Sequence, residues 1–331
     1  MFEQPAVLAG LLDQHGAITA RIGEAVPAPS RLRGVALVGR GSSEAAALFG
    51  RYLLEPVTGR PALVVPPSVA MGPDRLSYEG FLAIGISQSG ETPEVAEALA
   101  ALARAGAATT VAVTAWPASP LAVSAEVVVD ISAGTEEAVP ATKSFTATLA
   151  ALLVVAEALG PVGWSHDELT GLPDAVAAVL ADPRPAGAAA ERLSRLEGWA
   201  CVGRALLRPI AQEAALKLEE AALVVADHHS SASFRHGPIA TSGPGRPVLA
   251  FASTTPEGED TSALAREVRQ RGSPVLVVGP APGAELSVPA LPEPLLAVPA
   301  AVRGQQLALA LARRRHLDPS HPPGLTKVTL T

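Results

Sequence analysis

Cysteine is almost absent from this chain of 331 residues. Cys201 is the only one, so no disulfide can form within the chain, which favours a reducing compartment such as the cytoplasm. The start of the sequence also lacks a secretory signal pattern, because Glu3 and Gln4 stand where positive charge is expected. We therefore expect a cytoplasmic protein in which Cys201 is a small buried residue.

Long apolar runs, excess basic charge and metal-binding motifs are also lacking. Charged residues such as Arg104 and Glu157 interrupt each apolar stretch, which argues against a membrane partner. The net charge of −7 argues against nonspecific binding of nucleic acid. The adjacent His228 and His229 lack further ligands at the spacing that a metal site requires, so we expect no metal.

Lysine is scarce. Three of the 25 basic residues are lysines, which leaves 22 arginines, and a coding background that disfavours lysine explains this bias. Lys143, Lys217 and Lys327 then mark positions where a primary amine is needed, since arginine stays protonated and cannot form an imine. The alternative is that these three lysines remained by chance.

A polar turn stands between an apolar run and a helical pattern. The run Phe81 to Ile86 predicts a strand, a helix is predicted from Pro93, and the turn between them reads Ser87-Gln88-Ser89-Gly90-Glu91-Thr92. Pro93 suits the first helical position, and Glu91 and Thr92 can cap the helix. Helix N-termini attract anions, and the hydroxyl and amide groups suit the oxygens of a phosphate monoester. The turn predicts a phosphate site; the alternative is a polar loop with ordinary capping.

The plan of strand, glycine turn and helix recurs, which predicts a duplication. A second turn, Gly39-Arg40-Gly41-Ser42-Ser43, follows the predicted strand Gly34 to Val38. In the second half we predict strands at 199–202, 247–252 and 274–278, with helices from Pro209 and over 259–271. The counterpart of the phosphate turn there reads Ser253-Thr254-Thr255-Pro256 and has no glycine, so we expect one phosphate site per chain, in the first half.

Length and these patterns predict two domains. We assign residues 1–160 to a first, phosphate-binding domain, 161–192 to a connecting helix flanked by linkers, and 193–316 to a second domain. Residues 317–331 form a tail that must lie over something else to be ordered.

A charged pattern lies on the helix predicted over 209–222. Glu213, Lys217 and Glu220 fall at positions i, i+4 and i+7, so two carboxylates flank one amine on the same face. Such a pattern is usually a solvated ladder of ion pairs. If burial raises the pKa of a carboxylate toward neutrality, that carboxylate is suited to moving protons between sugar carbons.

These motifs resemble the SIS (sugar isomerase) domain family, whose members bind or isomerise phosphosugars. The resemblance implies an α/β fold of two tandem SIS domains, each a flavodoxin-like three-layer α-β-α sandwich with a parallel sheet. It also implies a phosphate site made by Ser42, Ser43, Ser87, Gln88, Ser89 and Thr92. The segment 134–146 is similar to the family's sugar-covering segment, in which Glu136 and Val139 would lie against the carbon chain.

The catalytic assignments rest on the same resemblance. The run around Lys217 is similar to that of the isomerase half of glucosamine-6-phosphate synthase, which implies that Glu220 is a general base supported by Lys217. Arg235-His236-Gly237-Pro238 is similar to the family's Lys-His-Gly-Pro, so His236 would open the sugar ring. The terminal Leu325-Thr326-Lys327-Val328-Thr329 resembles the family's tail, whose lysine forms a Schiff base with an open-chain ketose phosphate.

Several departures from the family limit this reading. Phe2 follows Met1 where the synthase has a nucleophilic cysteine, so we expect no use of glutamine. Ser233 replaces a usual glutamate, Pro140 and Ala141 replace Ala-Ser, and Glu219 replaces a lysine. These changes put the identity of the sugar in doubt.

The resemblance implies an enzyme without a cofactor that acts on a 6-phosphorylated amino sugar. We expect conversion of glucosamine-6-phosphate to fructose-6-phosphate and ammonia, or the reverse. The alternatives are a deglycase for phosphorylated fructosamines, another sugar-phosphate isomerase, or a noncatalytic sugar-phosphate sensor. A homodimer with shared active sites is expected, with His236 donated by the neighbouring subunit and with the apolar helix over 146–159 at the interface.

Overall fold

Two parallel five-stranded sheets form the framework of the chain. The computed structural model describes residues 1–72 and 76–327. The first sheet has the order β2-β1-β3-β4-β5 and the second has the order β10-β9-β8-β6-β7. The strands are β1 Gly34–Val38, β2 Ala62–Val64, β3 Phe81–Ile86, β4 Thr109–Thr114, β5 Val127–Asp130, β6 Gly198–Gly203, β7 Val225–Ser230, β8 Val248–Phe251, β9 Val275–Gly279 and β10 Leu286–Ser287.

Helices cover the sheets and connect them. In the first half they are α1 Gln4–Leu12, α2 His15–Ala25, α3 Ser42–Thr58, α4 Pro67–Ala70, α5 Pro93–Arg104, α6 Pro120–Val123 and α7 Lys143–Leu159. They continue with α8 His166–Thr170, α9 Leu172–Ala181, α10 Arg184–Leu193, α11 Arg208–Ala222, α12 Ser231–Arg235, α13 Pro256–Gln270 and α14 Glu293–Arg314. Short 3-10 turns lie at Pro29–Arg31, Ala205–Leu207 and Pro238–Thr241.

The sequences of the central strands explain why the sheets are parallel and covered on both faces. All five residues of β1 and all six of β4 are buried, as expected for central strands of a parallel sheet, because helices pack on both faces. The strand β3 pairs with β1 over its first five residues, in register from Gly34 opposite Phe81 to Val38 opposite Gly85. The predicted α/β class with two flavodoxin-like domains is confirmed.

The strand order places a cleft at the carboxyl ends of β1 and β3. In an open sheet of order 2-1-3-4-5 the chain leaves these two strands in opposite directions, and ligands bind in the crevice between them. The turns that follow β1 and β3 are the two that the sequence singles out as phosphate loops, 39–43 and 87–92. The second sheet has the same order, 2-1-3-4-5, when β6 to β10 are counted as its strands 1 to 5, which places an equivalent cleft after β6 and β8.

One hydrophobic core is shared by the two halves. It extends from the inner face of the first sheet through α1, α2, α3 and α7 to α11, α14 and the inner face of the second sheet. Two smaller clusters fill the outer faces, under α5 in the first half and under α13 in the second. Each sheet therefore has helices on both faces.

The helix α7 lies inside this shared core. Its residues from Phe145 to Ala156 are at most 5% exposed within one chain. The expectation that the outer face of this helix is left for a dimer interface is therefore wrong, because α1, α2, α3 and α14 already cover it.

Two further expectations need correction. The connecting segment holds three short helices, α8 to α10, rather than one. Pro173 lies in the first turn of α9, and Pro183 and Pro185 flank the first residue of α10; proline is tolerated at a helix start but would interrupt one continuous helix. The helix α14 is long and apolar enough to cross a membrane, contrary to the expectation that charges interrupt every such stretch. However, 89% of its most apolar window is buried inside the chain, as in the core helix of a globular protein.

Candidate active site

The turn after β3 is held in one conformation by the loop that follows β4. Gly90 has a φ of +63°, and a side chain there would place its Cβ 2.0 Å from Ser119 Oγ. The Ala115 N–H donates to Gln88 O over 3.0 Å, and the Leu121 N–H donates to Gly90 O over 3.1 Å. Only glycine fits this close approach, so the backbone of the turn is fixed before any ligand arrives.

The hydroxyl groups of this turn face the start of α5. Ser87 is buried, and its Oγ accepts from Gly90 N–H over 3.1 Å and lies 3.4 Å from Thr92 Oγ1. Pro93 is the first helical residue, as the sequence predicts, but Thr92 makes no capping hydrogen bond with its side chain. The expected capping by the Thr92 hydroxyl is wrong, and the positive end of α5 is left for another acceptor.

The turn after β1 lies beside it. Gly39 must be glycine because an added Cβ would lie 2.4 Å from Ser43 O. Ser42 and Ser43 begin α3, and together with Gln88 they line a small cavity of about 30 Å³. The structure thus brings the two predicted phosphate loops to one place.

A salt bridge spans the two turns. The Nε and Nη2 of Arg40 each donate over 2.8 Å to the carboxylate of Glu94, which is the second residue of α5. A bidentate pair of this kind fixes the angle between two planar groups. It therefore ties the loop after β1 to the helix that follows β3.

The charged face of α11 lies against the first of these loops. Lys217 is 2% exposed and forms ion pairs with Glu220 and, at 3.6 Å, with Glu213 Oε1. Ser42 Oγ donates to Glu213 Oε1 over 3.1 Å and accepts from Lys217 Nζ over 3.2 Å. The pattern is therefore a buried cluster and not a solvated ladder of ion pairs.

Burial dominates the proton affinity of Glu213. Its side chain is 1% exposed, and this desolvation raises its pKa to about 7, although the nearby Lys217 ammonium opposes the shift. One carboxylate oxygen, Oε2, has no hydrogen-bond partner among the described residues. Glu213 can therefore hold or release a proton near neutral pH.

The carboxylate of Glu136 holds the start of α7. It accepts from the backbone N–H groups of Lys143 and Ser144 at 3.2 and 3.1 Å and from the Thr142 hydroxyl at 2.7 Å, as well as from the Ser144 hydroxyl. Despite burial, these hydrogen bonds leave its pKa lowered. These contacts position the segment 134–142, while a sugar contact by Glu136 stays a prediction.

The carboxyl-terminal tail lies on that segment. The Val139 N–H donates to Ser320 O over 3.0 Å, and Lys327 Nζ donates to the carbonyls of Ala138 and Val139. Desolvation and the positive charge of Lys217 lower the pKa of Lys327, and Glu136 opposes them. A lowered pKa increases the fraction of neutral amine, the form that attacks a carbonyl carbon. Val328 and Thr329 lie outside the described residues.

A second cavity lies between the tail and α11. It has a volume of about 240 Å³, and its lining includes Lys217, Ala138, Pro140, Gln305 and Ser320. Lys217 thus lines this cavity on the tail side, while its amine bonds to Ser42 of the first phosphate loop on the other.

His236 stands apart from this cluster within one chain. It is exposed at the end of α12, which packs against α13 and β7 in the second half. In the described ranges no hydrogen bond or ion pair joins it to Lys217, Glu220 or Lys327. Its role in ring opening stays a prediction.

In the cleft of the second half, a carboxylate of the chain itself binds the hydroxyl groups of the turn. Thr255 Oγ1 donates to Glu293 Oε2 over 2.6 Å, and the Ser253 hydroxyl donates to the same oxygen. Thr255 also caps α13, and Glu293 is the first residue of α14. A carboxylate from the chain itself thus takes the position that an anion would occupy.

Some of these contacts are not evident from sequence. The sequence predicts only that Glu213 flanks Lys217, and it predicts no partner for Arg40. The sequence does not indicate that Glu213 is buried, but its i, i+4 spacing to Lys217 indicates that the two side chains lie on the same face of the helix. Among residues 1–72 and 76–327, no group of three or more histidine, cysteine, aspartate or glutamate side chains is placed to hold a metal ion.

Comparison with known proteins places both sheets in one family. The SIS domain matches residues 32–158 and 200–288. The glutamine-fructose-6-phosphate aminotransferase (isomerizing) of Pyrobaculum aerophilum is 33% identical over 99% of this chain. The match covers 56% of that relative, so the chain spans little more than half its length.

Solved structures agree on the fold. The C-terminal domain of glucosamine-fructose-6-phosphate aminotransferase from Francisella tularensis superposes with a TM-score of 0.87 at 24% identity, covering 97% of this chain and 96% of that one. The glucosamine-6-phosphate deaminase from Thermotoga maritima superposes with a TM-score of 0.78 at 26% identity, covering 98% of this chain and 99% of that one.

Proposed function

This chain belongs to the SIS domain family, and on that premise we propose that it is an enzyme that converts glucosamine-6-phosphate and water to fructose-6-phosphate and ammonia, or catalyses the reverse. The observation that carries the proposal is the juxtaposition of three parts: two polar turns at one cleft, the buried cluster around Lys217, and a tail amine with a lowered pKa. A phosphate sensor needs the first part only.

The phosphate would bind at the turns after β1 and β3. Ser42, Ser43, Gln88 and Ser89 supply side-chain donors, and Ser87 and Thr92 supply hydroxyls at the start of α5. Two helix N-termini converge there and favour a dianion. Val139, whose N–H is taken by the tail, would lie with Glu136 along the carbon chain.

The proton steps fall to side chains near Lys217. After ring opening, assigned to His236, Glu220 removes the proton from C2 and returns it to C1, which converts an aldehyde with a neighbouring amine into a C2 imine. Lys217, paired with Glu220, would set the charge of that carboxylate.

Lys327 would release the nitrogen. Its neutral amine attacks C2, displaces ammonia and leaves the sugar bound as an imine, which water then hydrolyses to the ketose and the free lysine. The aldehyde at C1 accepts the electron pair when the C2 proton leaves, and the lysine imine serves only the later exchange of nitrogen for oxygen, so no cofactor enters this scheme.

A product assay tests the reaction. Glucosamine-6-phosphate is incubated with the protein, and ammonia and fructose-6-phosphate are measured together; we expect equal amounts of both without added metal. Release of an amino acid from phosphorylated fructosamine, with no ammonia from glucosamine-6-phosphate, would instead indicate the deglycase. Interconversion of sugar phosphates without ammonia would indicate an isomerase, and tight binding with no turnover would indicate a sensor.

We infer that the active protein is a cytoplasmic homodimer. Within one chain His236 is exposed and not joined to the lysine cluster, which supports its donation to the site of a second copy. A mixture of His236→Ala and Glu220→Gln subunits should recover part of the activity after subunit exchange. Activity that stays at the sum of the two parent variants in verified mixed dimers would contradict a shared site.

A further inference from the structure

The hydroxyl of Ser42 lies in the predicted phosphate turn and also contacts the charged cluster on α11. It begins α3 in the turn that lines the phosphate cavity with Gln88, and it also contacts the acid and the amine on α11. The contact to Glu213 Oε1 measures 3.1 Å and the contact to Lys217 Nζ measures 3.2 Å. No other hydroxyl in the described ranges hydrogen-bonds to both residues.

A serine hydroxyl has a single hydrogen to donate. Because the Lys217 ammonium can only donate, Ser42 accepts from Lys217 and gives its own hydrogen to Glu213. The same hydrogen is the one that a phosphate oxygen in the turn would accept. Donation to the phosphate and donation to Glu213 therefore exclude each other.

Glu213 has little to replace that hydrogen bond. Its side chain is 1% exposed, and its Oε2 already lacks a partner in the described part of the chain. When a buried carboxylate loses its donor, the desolvation of its charge is no longer offset, and the protonated form becomes favoured.

We propose that Ser42 couples occupancy of the phosphate turn to the uptake of one proton by Glu213. This rests on the proposed phosphate site and goes beyond it, because it assigns Glu213 a role as a positioning residue. The proton comes from solvent, and the neutral Glu213 leaves Lys217 to pair with Glu220 alone. Phosphate binding thereby fixes the charge of the cluster next to the reacting carbons.

The charges around Glu213 allow this change. The groups that act on it are Lys217, which lowers its pKa, and Glu220, which raises it, both from α11. Lys327 of the tail acts on the same two groups from the other side. Protonation of Glu213 therefore removes one of the two negative charges that Lys217 now balances.

Charged groups of α14 and β7, which also pack on α11, are bound elsewhere. The helix α14 places Gly304 against Ala214, and its Arg303 donates to the carbonyls of Val179 and Asp182. Asp227 on β7 pairs with Arg246.

The direction of the effect follows from the pKa. Burial raises the pKa of Glu213 to about 7, so at pH 7.5 most of the unliganded protein carries a charged Glu213. Loss of the Ser42 hydrogen bond raises that pKa further, and the protein takes up protons on binding. We expect about 0.3 to 0.7 proton per site at pH 7.5, where a phosphate monoester is already almost fully dianionic.

Calorimetry measures this uptake. Sorbitol 6-phosphate is a suitable probe because it has no carbonyl group and cannot be turned over. Its binding enthalpy is recorded at pH 7.5 in buffers of different ionisation enthalpy, and the slope gives the number of protons taken up. Glu213→Gln and Ser42→Ala should each bind the probe with an uptake close to zero.

Two matched variants distinguish a loss of proton uptake from a general loss of affinity for the probe. Ser43→Ala removes the neighbouring hydroxyl of the same turn and should weaken binding while keeping the proton uptake. Glu219→Gln, on the exposed face of α11, should bind and take up protons as the unchanged protein does. Equal uptake in the unchanged protein and in Glu213→Gln would overturn the coupling and leave the phosphate site standing. Failure of the unchanged protein to bind sorbitol 6-phosphate would overturn the phosphate site and the coupling together.

Discussion

The clefts of the two halves share the same glycine turn and the same arginine–acid pair, and they differ at the turn where an anion would bind. In each half a glycine turn ends the first central strand, and a side chain at Gly39 or Gly203 would lie within 2.4 Å of a carbonyl of the next helical turn. In each half the following arginine binds an acid on the helix after the third strand. Arg40 pairs with Glu94, and Arg204 pairs with Asp260.

The two turns then differ in the groups that their hydroxyls hydrogen-bond to. In the first half the hydroxyls of Ser87 and Thr92 face the start of α5 without a carboxylate between them. In the second half the hydroxyls of Ser253 and Thr255 are bound to Glu293. The duplication therefore has one turn open to an outside anion and one turn closed by an anion of the chain itself.

The comparison teaches how a repeated cleft becomes asymmetric. A helix N-terminus and nearby hydroxyls favour a negative charge wherever they occur. Glu293 provides that charge permanently and so makes the second cleft part of the structure. At the turn 87–92 the described residues place no carboxylate on the hydroxyls of Ser87 and Thr92, and the α11 cluster, with Glu213, meets the first cleft at Ser42 instead.

The largest effect should come from the tail amine, because only the first cleft has one beside it. Lys327→Arg keeps the positive charge but cannot form an imine, so turnover should fall by at least about 100-fold while sugar-phosphate binding persists. Borohydride should trap fructose-6-phosphate on the carboxyl-terminal peptide. An adduct on Lys143 or Lys217, or a near-normal rate in Lys327→Arg, would remove Lys327 from the mechanism.

A smaller effect should distinguish the two turns directly. Ser89→Ala or Thr92→Val in the first turn removes a donor to a dianion, which is worth about 1.5–3 kcal/mol, or roughly 10-fold or more in affinity. Thr254→Val is a control change in the second turn, at an exposed side chain that, unlike Thr255, does not cap α13. We expect KM for the sugar phosphate to rise only in the first-turn variants. A similar rise in Thr254→Val would mean that both clefts bind phosphate.

Local patterns predicted the framework well. The strands β1 and β3 match their predicted limits, because each is a short apolar run that ends at a turn rich in serine and glycine. The helix α5 begins at Pro93 as predicted, since proline fits the first helical position. These features depend on residues that are close together in the sequence.

Contacts between distant parts of the chain were not predicted. Ser42 and Glu213 are 171 residues apart, and Ser253 and Glu293 are 40 apart, so no spacing indicates either pair. The sequence indicates that α7 is buried on most sides, but not that its remaining face is covered within one chain, because that cover comes from helices before and after it in the sequence. The catalytic assignments rest on family resemblance, and the proposed donation of His236 by a second chain is not something that a pattern within one sequence indicates.

The smallest effect should be on stability and should concern the closed cleft alone. Glu293→Ala removes the acceptor of two hydroxyl hydrogen bonds beside the start of α13, and we expect the free energy of unfolding to fall by about 1–2 kcal/mol. Glu259→Ala removes the same charge from the first turn of α13, where the side chain is exposed, and should cost less than about 1 kcal/mol. Urea unfolding measures both variants, and KM should stay unchanged in each, because neither residue lies at the open cleft. A rise in KM in Glu293→Ala with unchanged stability would mean that the second cleft takes part in substrate binding, and the division between an open and a closed cleft would then be wrong.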